Sequence, residues 1–402
     1  MLNKINKDFT LFTITLTIIF NLIFFLFPKL NFLITINFLL FNLLLFFYLI
    51  NFEKNKFLIF FTFGLIVMNL GTVTVSWDAR SIWMFKAKQI YEENTILYVV
   101  ANYAPFSHPD YPNIAPAFSA GFVKLIGHWN EVYPKLGFTL LFVPAFIFIS
   151  NFFKKNHYLC ALILIIFTLG KFLINGEVDG LVSIYFVSTA LMIFSIRHSH
   201  KSILNFLTLI TFIVILTLLK LEALALMVCL IFSTVFLFYK EKMINHKMLI
   251  SFLISLMPIV SWHIFTDYYN INNVNSEYYA YNLTSFSKNV SIFKNYILIF
   301  EYLVLNEKFL ISLLFFLIST FITKKLKIFN FVLLTSFLYI GILFIVYLST
   351  PFEINWHLSS SSTRVIKPII LLLFIFGLYG LTNKTLNRSS SRNVSGKIKS
   401  DS

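Results

Sequence analysis

The chain has 402 residues, 58% of them hydrophobic and 12% charged, with a net charge of +15, and its mean hydropathy is +0.82. So little charge excludes a water-soluble globular domain. Apolar runs near the ~20 residues that cross a bilayer as helix recur from end to end. The expectation is an all-α integral membrane protein, because a backbone inside lipid must satisfy its own hydrogen bonds.

In chain order, about twelve transmembrane helices are predicted, near 9–28, 31–50, 57–75, 135–153, 157–174, 181–196, 203–219, 223–239, 248–266, 309–323, 328–349 and 366–382. The first run starts with charged residues, as a signal peptide does. It is too long for one and lacks a small-residue cleavage site, so it reads as a retained span. The segment VSIFKNYILIFEYLVLNEK, within 290–308, reads as an amphipathic helix lying in the interface. Residues 1–382 then form one polytopic membrane domain, and the polar, Ser-rich 383–402 a disordered tail. Cys160 and Cys229 fall in separate apolar runs at different depths, so no disulfide is expected. No Cys/His spacing calls for a metal, and no cofactor is expected.

The charges sort by side. Segments 1–8, 51–56, 154–156, 197–202, 240–247, 324–327 and 383–402 hold 19 of the 32 Lys and Arg and 4 of the 17 Asp and Glu, a net +15. The opposite loops are neutral. Basic enrichment marks the cytoplasmic face, so both termini are expected inside, in the cell (inner) membrane. The basic excess is then a topology signal aided by anionic membrane lipids, and nucleic acid drops out as a partner.

The other face receives the loop 76–134, the turn NGEVDG (175–180), the turn LLKLEA (218–223), the loop 267–308 and TPFEINWHLSSSSTRVIK (350–367). Every unusual polar cluster falls there. In SWDARSIWMFKAK (76–88), Trp77 and Trp83 can lie on one face of an interfacial helix, with Asp78 or Ser76 as N-cap and Lys86 and Lys88 in water. Alternatively Asp78, at the membrane boundary, is a general base that takes a proton from an acceptor hydroxyl. In FSHPDYP (106–112), His108, Asp110 and Tyr111 sit among prolines that stiffen a loop, either as a plain turn or to hold side chains in place. Glu177 and Asp179 serve equally as turn formers. Lys220 and Glu222 interrupt an apolar run, where ionisable groups pair or line a polar cavity unless the turn faces water. His357, Ser361 and Arg364 precede the last span; an Arg there can fork two N–H donors onto a phosphate, or merely snorkel. Bases, phosphate binders and aromatic surface on one face suit group transfer from a lipid-linked phosphate.

WDARSIWMFKAK followed by SHPDYP resembles the first large loop of bacterial and archaeal GT-C membrane glycosyltransferases, relatives of the protein-O-mannosyltransferases and the lipid A aminoarabinose transferases. The Asp in NGEVDG, the Lys-x-Glu at 220–222 and WHL-x-x-S-x-x-R at 356–364 extend the likeness over roughly 70–380. The resemblance implies a GT-C-like fold whose first extracytoplasmic loop holds interfacial helices. It also implies a polyprenyl-phosphate sugar donor, extracytoplasmic transfer and inversion at the anomeric carbon of a hexose or pentose. By position, Asp78 would be the catalytic base, with Asp110 or Asp179 as a second carboxylate. Lys220, Glu222, Arg364, His357 and Ser361 would meet the donor phosphate; Trp77, Trp83, Lys86, His108 and Tyr111 would form the acceptor loop. The acceptor is a glycan, lipid or protein. Two departures stand out: the acidic loop follows the third span rather than the first, and Asp78 is followed by Ala79 rather than a second acid.

Two other classes fit a many-span chain. A transporter or lipid flippase would carry polar or Gly/Pro-broken segments at mid-membrane. An O-antigen polymerase or ligase would lean on arginines in large outer loops, where this chain has Arg80 and Arg364.

Overall fold

The computed structural model describes residues 7–27, 29, 32–50, 56–97, 107–153, 155–196, 203–239, 246–269, 271 and 283–397. Among them every regular element is helical. The first part of the chain forms α1 (Lys7–Leu26), α2 (Phe32–Ile50), α3 (Lys56–Leu70) and a π-helical turn (Ala79–Met84) running into α4 (Phe85–Glu93). Then come α5 (Ile114–Ile126), α6 (Tyr133–Phe152), α7 (Lys155–Leu169), a 3-10 turn (Gly170–Leu173) and α8 (Asp179–Ile196). The middle holds α9 (Ile203–Leu219), α10 (Glu222–Phe238), α11 (His246–Tyr268), α12 (Leu283–Val290) and α13 (Phe293–Leu303). The chain closes with α14 (Glu307–Thr323), α15 (Leu326–Leu348), α16 (Ile354–Val365) and α17 (Lys367–Lys397).

Eight helical stretches among the described residues are long and apolar enough to cross a membrane, or nine if α13 and α14, bent by 65°, count as one. This is a multi-pass membrane protein. Of the twelve expected segments, 57–75, 203–219, 223–239 and 309–323 become helices of 15, 17, 17 and 17 residues, at or just below the lower limit of about 17 residues for a crossing. The 290–308 segment does form a separate helix, α13, which packs on α15 and α16. Helix α17 runs on to Lys397, where a disordered tail from 383 is expected; no proline stops it. Residues 98–106 and 270 and 272–282 of the two large loops lie outside the described residues. So do most of the basic segments that orient the chain: 1–6, 51–55, 154, 197–202, 240–245 and 398–402.

Helix α8 is apolar all round, and every residue but Ser195 is buried, as expected of a helix at a bundle's centre. It packs on α6, α9, α10 and α17. The loop 76–134 differs from a collar of interfacial helices: α5 is a buried helix wedged among α1, α2, α4 and α6. Gly121 lets it approach, since a Cβ there would strike the Asn21 side chain and the Phe38 ring. Between the spans, adhesion is packing plus a few hydroxyl contacts, such as Thr15 to Thr211 at 2.8 Å joining α1 to α9.

One end of the bundle gathers the close of α3 and α7, the starts of α6, α8, α14 and α17, and the α9–α10 turn. Lys135, buried at the start of α6, donates to the Asn69 carbonyl at 3.2 Å and to the Thr72 carbonyl. It thereby serves one carbonyl in the last turn of α3 and one just beyond its end. Asn69 answers by donating to Thr139 at 2.7 Å. The segment leading to Ser76 and Asp78 is thus tied down by a lysine sixty residues further along the chain.

Candidate functional site at the bundle end

Two glycine-dependent approaches build the site. Gly176 has φ +79, a region open chiefly to glycine. A Cβ on it would lie 2.5 Å from Met84 Cε. The NGEVDG turn can therefore sit directly on the π-helical turn, and Ser76 donates to Glu177 Oε1 across that contact. Gly180 comes next: its Cβ would lie 2.6 Å from the backbone oxygen of Phe172, so only glycine lets α8 start this close to the 3-10 turn.

On this frame Arg364, near the end of α16, pairs with Asp78. The Arg364 guanidinium also feels Asp179 and Glu177. Lys220 donates to Asp179 Oδ1 at 3.2 Å and lies 3.3 Å from Glu222 Oε1. Four acids and two bases thus share one cluster. Residues that the sequence suggests as turn formers, Glu177 and Asp179, are both buried. The water-facing reading of the Lys220 turn is likewise overturned, since Lys220 is buried against Asp179 and only Glu222 is partly exposed. Among the described residues, the buried oxygens Oε2 of Glu177, Oδ2 of Asp179 and Oε2 of Glu222 find no hydrogen-bond partner. Such acceptors favour a ligand hydroxyl or ammonium.

Burial pushes the Glu177 carboxyl above its ordinary range; the Ser76 hydrogen bond opposes this, and Asp179 and Asp78 add to it. Burial works against the charge of Lys220, but the Asp179 and Glu222 carboxylates outweigh it and hold Lys220 above the ordinary lysine range.

The SHPDYP loop forms a second wall. Lys86 is fully buried, not in water as the interfacial-helix reading has it. Its Nζ donates to the His108 carbonyl at 2.5 Å and to the Tyr111 carbonyl at 3.0 Å. Trp83 is fully buried too, and only Trp77, at 56% exposure, keeps the expected place at the surface. Asp78 does not cap a helix: it is itself helical, its side chain makes no capping hydrogen bond, and it pairs with Arg364 instead. The Tyr111 ring lies between His108 (4.6 Å) and Trp83 (5.8 Å), and its hydroxyl reaches Glu222 Oε1 at 3.4 Å. Trp262 Nε1 donates to the Asp110 carbonyl at 2.8 Å. These contacts hold His108 at φ +49, a left-handed conformation that costs a non-glycine residue about 1–3 kcal/mol. His108 Nδ1 stands 3.9 Å from Asp110 Oδ1. Burial lowers the His108 imidazole below its ordinary pKa, Lys86 and Lys220 adding to this and Asp110 and Glu222 opposing it.

The structure therefore pairs Asp78 with Arg364 and Lys220 with Asp179 and Glu222, couples the two groups electrostatically, and links His108, Asp110, Tyr111, Trp83 and Lys86 to Glu222 through Tyr111. His357 and Ser361 lie on the same short helix as Arg364 but are engaged locally, His357 Nδ1 with Thr350 Oγ1 at 2.9 Å and Ser361 with Tyr347 at 2.8 Å. Sequence reasoning left Glu177 out of the candidate site; its place two residues before Asp179 was the available signal. Among the described residues no group of three or more His, Cys, Asp or Glu is arranged to hold a metal ion.

Lys86 carries a testable pH dependence. Burial lowers its pKa to about 7, with Asp110 opposing, whereas an unfolded lysine titrates near ~10.4. Between these values the unfolded chain binds the extra proton, so this residue makes folding stability rise as pH climbs from about 7 toward 10. Thermal unfolding in detergent at pH 7 and pH 9 should show that rise in the wild type and a smaller one in Lys86→Met. Equal slopes would mean that Lys86 stays charged.

No protein-family model, curated protein or solved structure matches this chain.

Proposed function

We propose that this chain is an inverting GT-C-type glycosyltransferase. It moves a sugar from a polyprenyl-phosphate donor to an acceptor hydroxyl on the extracytoplasmic face, with twelve crossings and both termini cytoplasmic. The observation that carries the reading is the Asp78–Arg364 pair, drawn from segments 286 residues apart and set against Asp179, Glu177 and Lys220. A carboxylate able to accept a proton stands beside cations able to hold a phosphate, at the end of a membrane bundle.

In the reaction, the acceptor oxygen attacks the anomeric carbon and its proton passes to Asp78. The carbon–oxygen bond to phosphate breaks, and polyprenyl phosphate departs with the electron pair, stabilised by Arg364 and Lys220. At rest Arg364 masks Asp78. An arriving phosphate competes for the guanidinium and frees the base, so donor binding and base activation are one event. Asp179 and Glu177 keep Arg364 compensated while it changes partner, and the Tyr111 wall bounds the acceptor side.

The transporter alternative requires polar breaks in mid-membrane. Among the described residues many span hydroxyls bond back to their own helices, Thr189 to the Tyr185 carbonyl and Thr335 to the Phe331 carbonyl at 2.8 Å each, whereas the charged cluster lies at the bundle end.

The test is turnover. Protein reconstituted in lipid, given a panel of polyprenyl-phosphate sugars and a membrane extract as acceptor source, should release polyprenyl phosphate. A silent panel together with movement of the lipid between leaflets would replace this reading with transport.

A further inference from the structure

A second cationic cluster lies beside the carboxylates, and the function proposed above makes no use of it. Lys367 opens α17, three residues beyond Arg364; it is buried and its Nζ donates to the Thr168 carbonyl at 3.1 Å. Lys308, in the first turn of α14, donates to the adjacent Phe167 carbonyl at 2.8 Å and lies 4.9 Å from the Phe167 ring. Lys171 stands 5.5 Å from the Phe172 ring, and Lys367 stands 4.7 Å from the same ring. Three ammonium groups from three elements thus converge on residues 167–172, and each of the other two acts electrostatically on Lys367.

Among the described residues no ion pair joins any of the three to a carboxylate. This contrasts with Lys220 and Arg364, which both have acid partners. Gathering two further ammonium groups around the buried Lys367 is unfavourable unless an anion completes the cluster. Carbonyl oxygens offset part of the cost and still leave N–H donors on each ammonium.

The surroundings say what carries the anion. Helices α7 and α14 flank α17: the rings of Phe167 and Phe315 pack on Phe374 at 5.9 and 5.8 Å. Below the lysines, Ile163 and Ile166 of α7 and Ile311 and Leu314 of α14 are exposed apolar side chains. A cationic head over an apolar wall matches an amphiphile with an anionic head.

We propose that Lys171, Lys308 and Lys367 form a binding site for the phosphate of a lipid-linked phosphate, whose hydrocarbon chain lies along the α7–α14 flank. The inference rests on the glycosyltransferase reading only for the identity of that lipid as the sugar donor or its released carrier. Asp179 and Glu177 also act electrostatically on Lys367, so a head group held here lies within electrostatic reach of the carboxylate cluster. Arg364 and Lys220 then serve the bond that breaks, and the lysines hold the ligand.

The experiment measures binding in the absence of any acceptor. Full-length protein in nanodiscs of zwitterionic lipid is titrated with a polyisoprenyl phosphate, with the matching polyisoprenol and with inorganic phosphate, following intrinsic tryptophan fluorescence. The phosphate lipid should bind, the alcohol at least about tenfold more weakly, and millimolar inorganic phosphate should displace little. Lys171→Gln and Lys308→Gln should each weaken binding about tenfold, the loss of one charge-assisted hydrogen bond. Lys308→Arg should restore most of it. Both substituted residues reach solvent, so folding is not at stake.

Wild-type affinity in both glutamine variants would overturn the site, as would equal binding of the alcohol. Full displacement by inorganic phosphate would overturn the lipid assignment in favour of a soluble phosphate. Lysine-dependent binding without sugar transfer would keep this inference and remove the glycosyltransferase reading. Transfer with unchanged lysine variants would do the reverse.

Discussion

Asp78→Asn is expected to abolish release of polyprenyl phosphate, by a factor of about 10²–10⁴ as for loss of a general base, while the protein remains folded. Folding should survive because Arg364 keeps Asp179 and Glu177 as counter-charges and is not stranded as an unpaired buried cation. Donor binding should also survive, or tighten, since the guanidinium is released from its resting partner. The decisive comparison is therefore binding against turnover in one preparation. Lost turnover with retained binding assigns the proton transfer to Asp78. Retained turnover moves the base to Glu177 or Asp179, whose free oxygens are buried in the same cluster. Lost binding would make the pair a structural clamp.

Lys220→Met should be the most destabilising single change at the site. The ammonium is buried and pairs with Asp179 at 3.2 Å. Removing it leaves the buried Asp179 carboxylate facing a thioether with Arg364 as its remaining counter-charge, so the loss should approach the about 3–5 kcal/mol of a broken buried pair. Asp179→Asn should cost less, because Lys220 keeps Glu222 at 3.3 Å. The double variant Lys220→Met/Asp179→Leu should recover much of the loss, since an apolar pair no longer strands a charge. Thermal unfolding in detergent orders the three. A Lys220→Met midpoint equal to wild type would show that water reaches the pair and that the turn is open to solvent. The exposed pair Lys88–Glu92, at 3.9 Å and about half exposed on both sides, is the control and should be worth no more than ~1 kcal/mol.

The two lysines that contrast most in legibility are Lys220 and Lys86. Lys220 interrupts an apolar run with only Glu222 beside it, so its pairing can be anticipated from the cost of a bare charge in lipid. Lys86 sits in a stretch of mixed polarity that reads as a wetted helix face. Its burial depends on a loop twenty-two residues away folding back to give it the carbonyls of His108 and Tyr111, and no local pattern encodes that return. Trp83 is misread for the same reason: an interfacial tryptophan and one covered by a tertiary contact look alike in sequence. Glu177 is hidden because turn-forming and functional acids have the same local signature. Nor does spacing reveal that Lys171, Lys308 and Lys367 meet, 196 positions apart at their extremes.

What the sequence by itself determined is the class of solvent and the form of the backbone. Hydrocarbon runs that long can be accommodated only in a bilayer, and a bilayer admits them as helices that satisfy their own hydrogen bonds. It also determined that the unusual polar residues gather at connections, because charges are expelled from span interiors. Only the tertiary structure decided which of those charges share a site. Glycine-permitted contacts at Gly176 and Gly180 bring the NGEVDG turn onto the π-helical turn and the 3-10 turn, and α16 delivers Arg364 to Asp78. Helix formation is local, so periodicity and run length report it. The pairing of charges hundreds of residues apart depends on which helices pack together, and side-chain shape decides that.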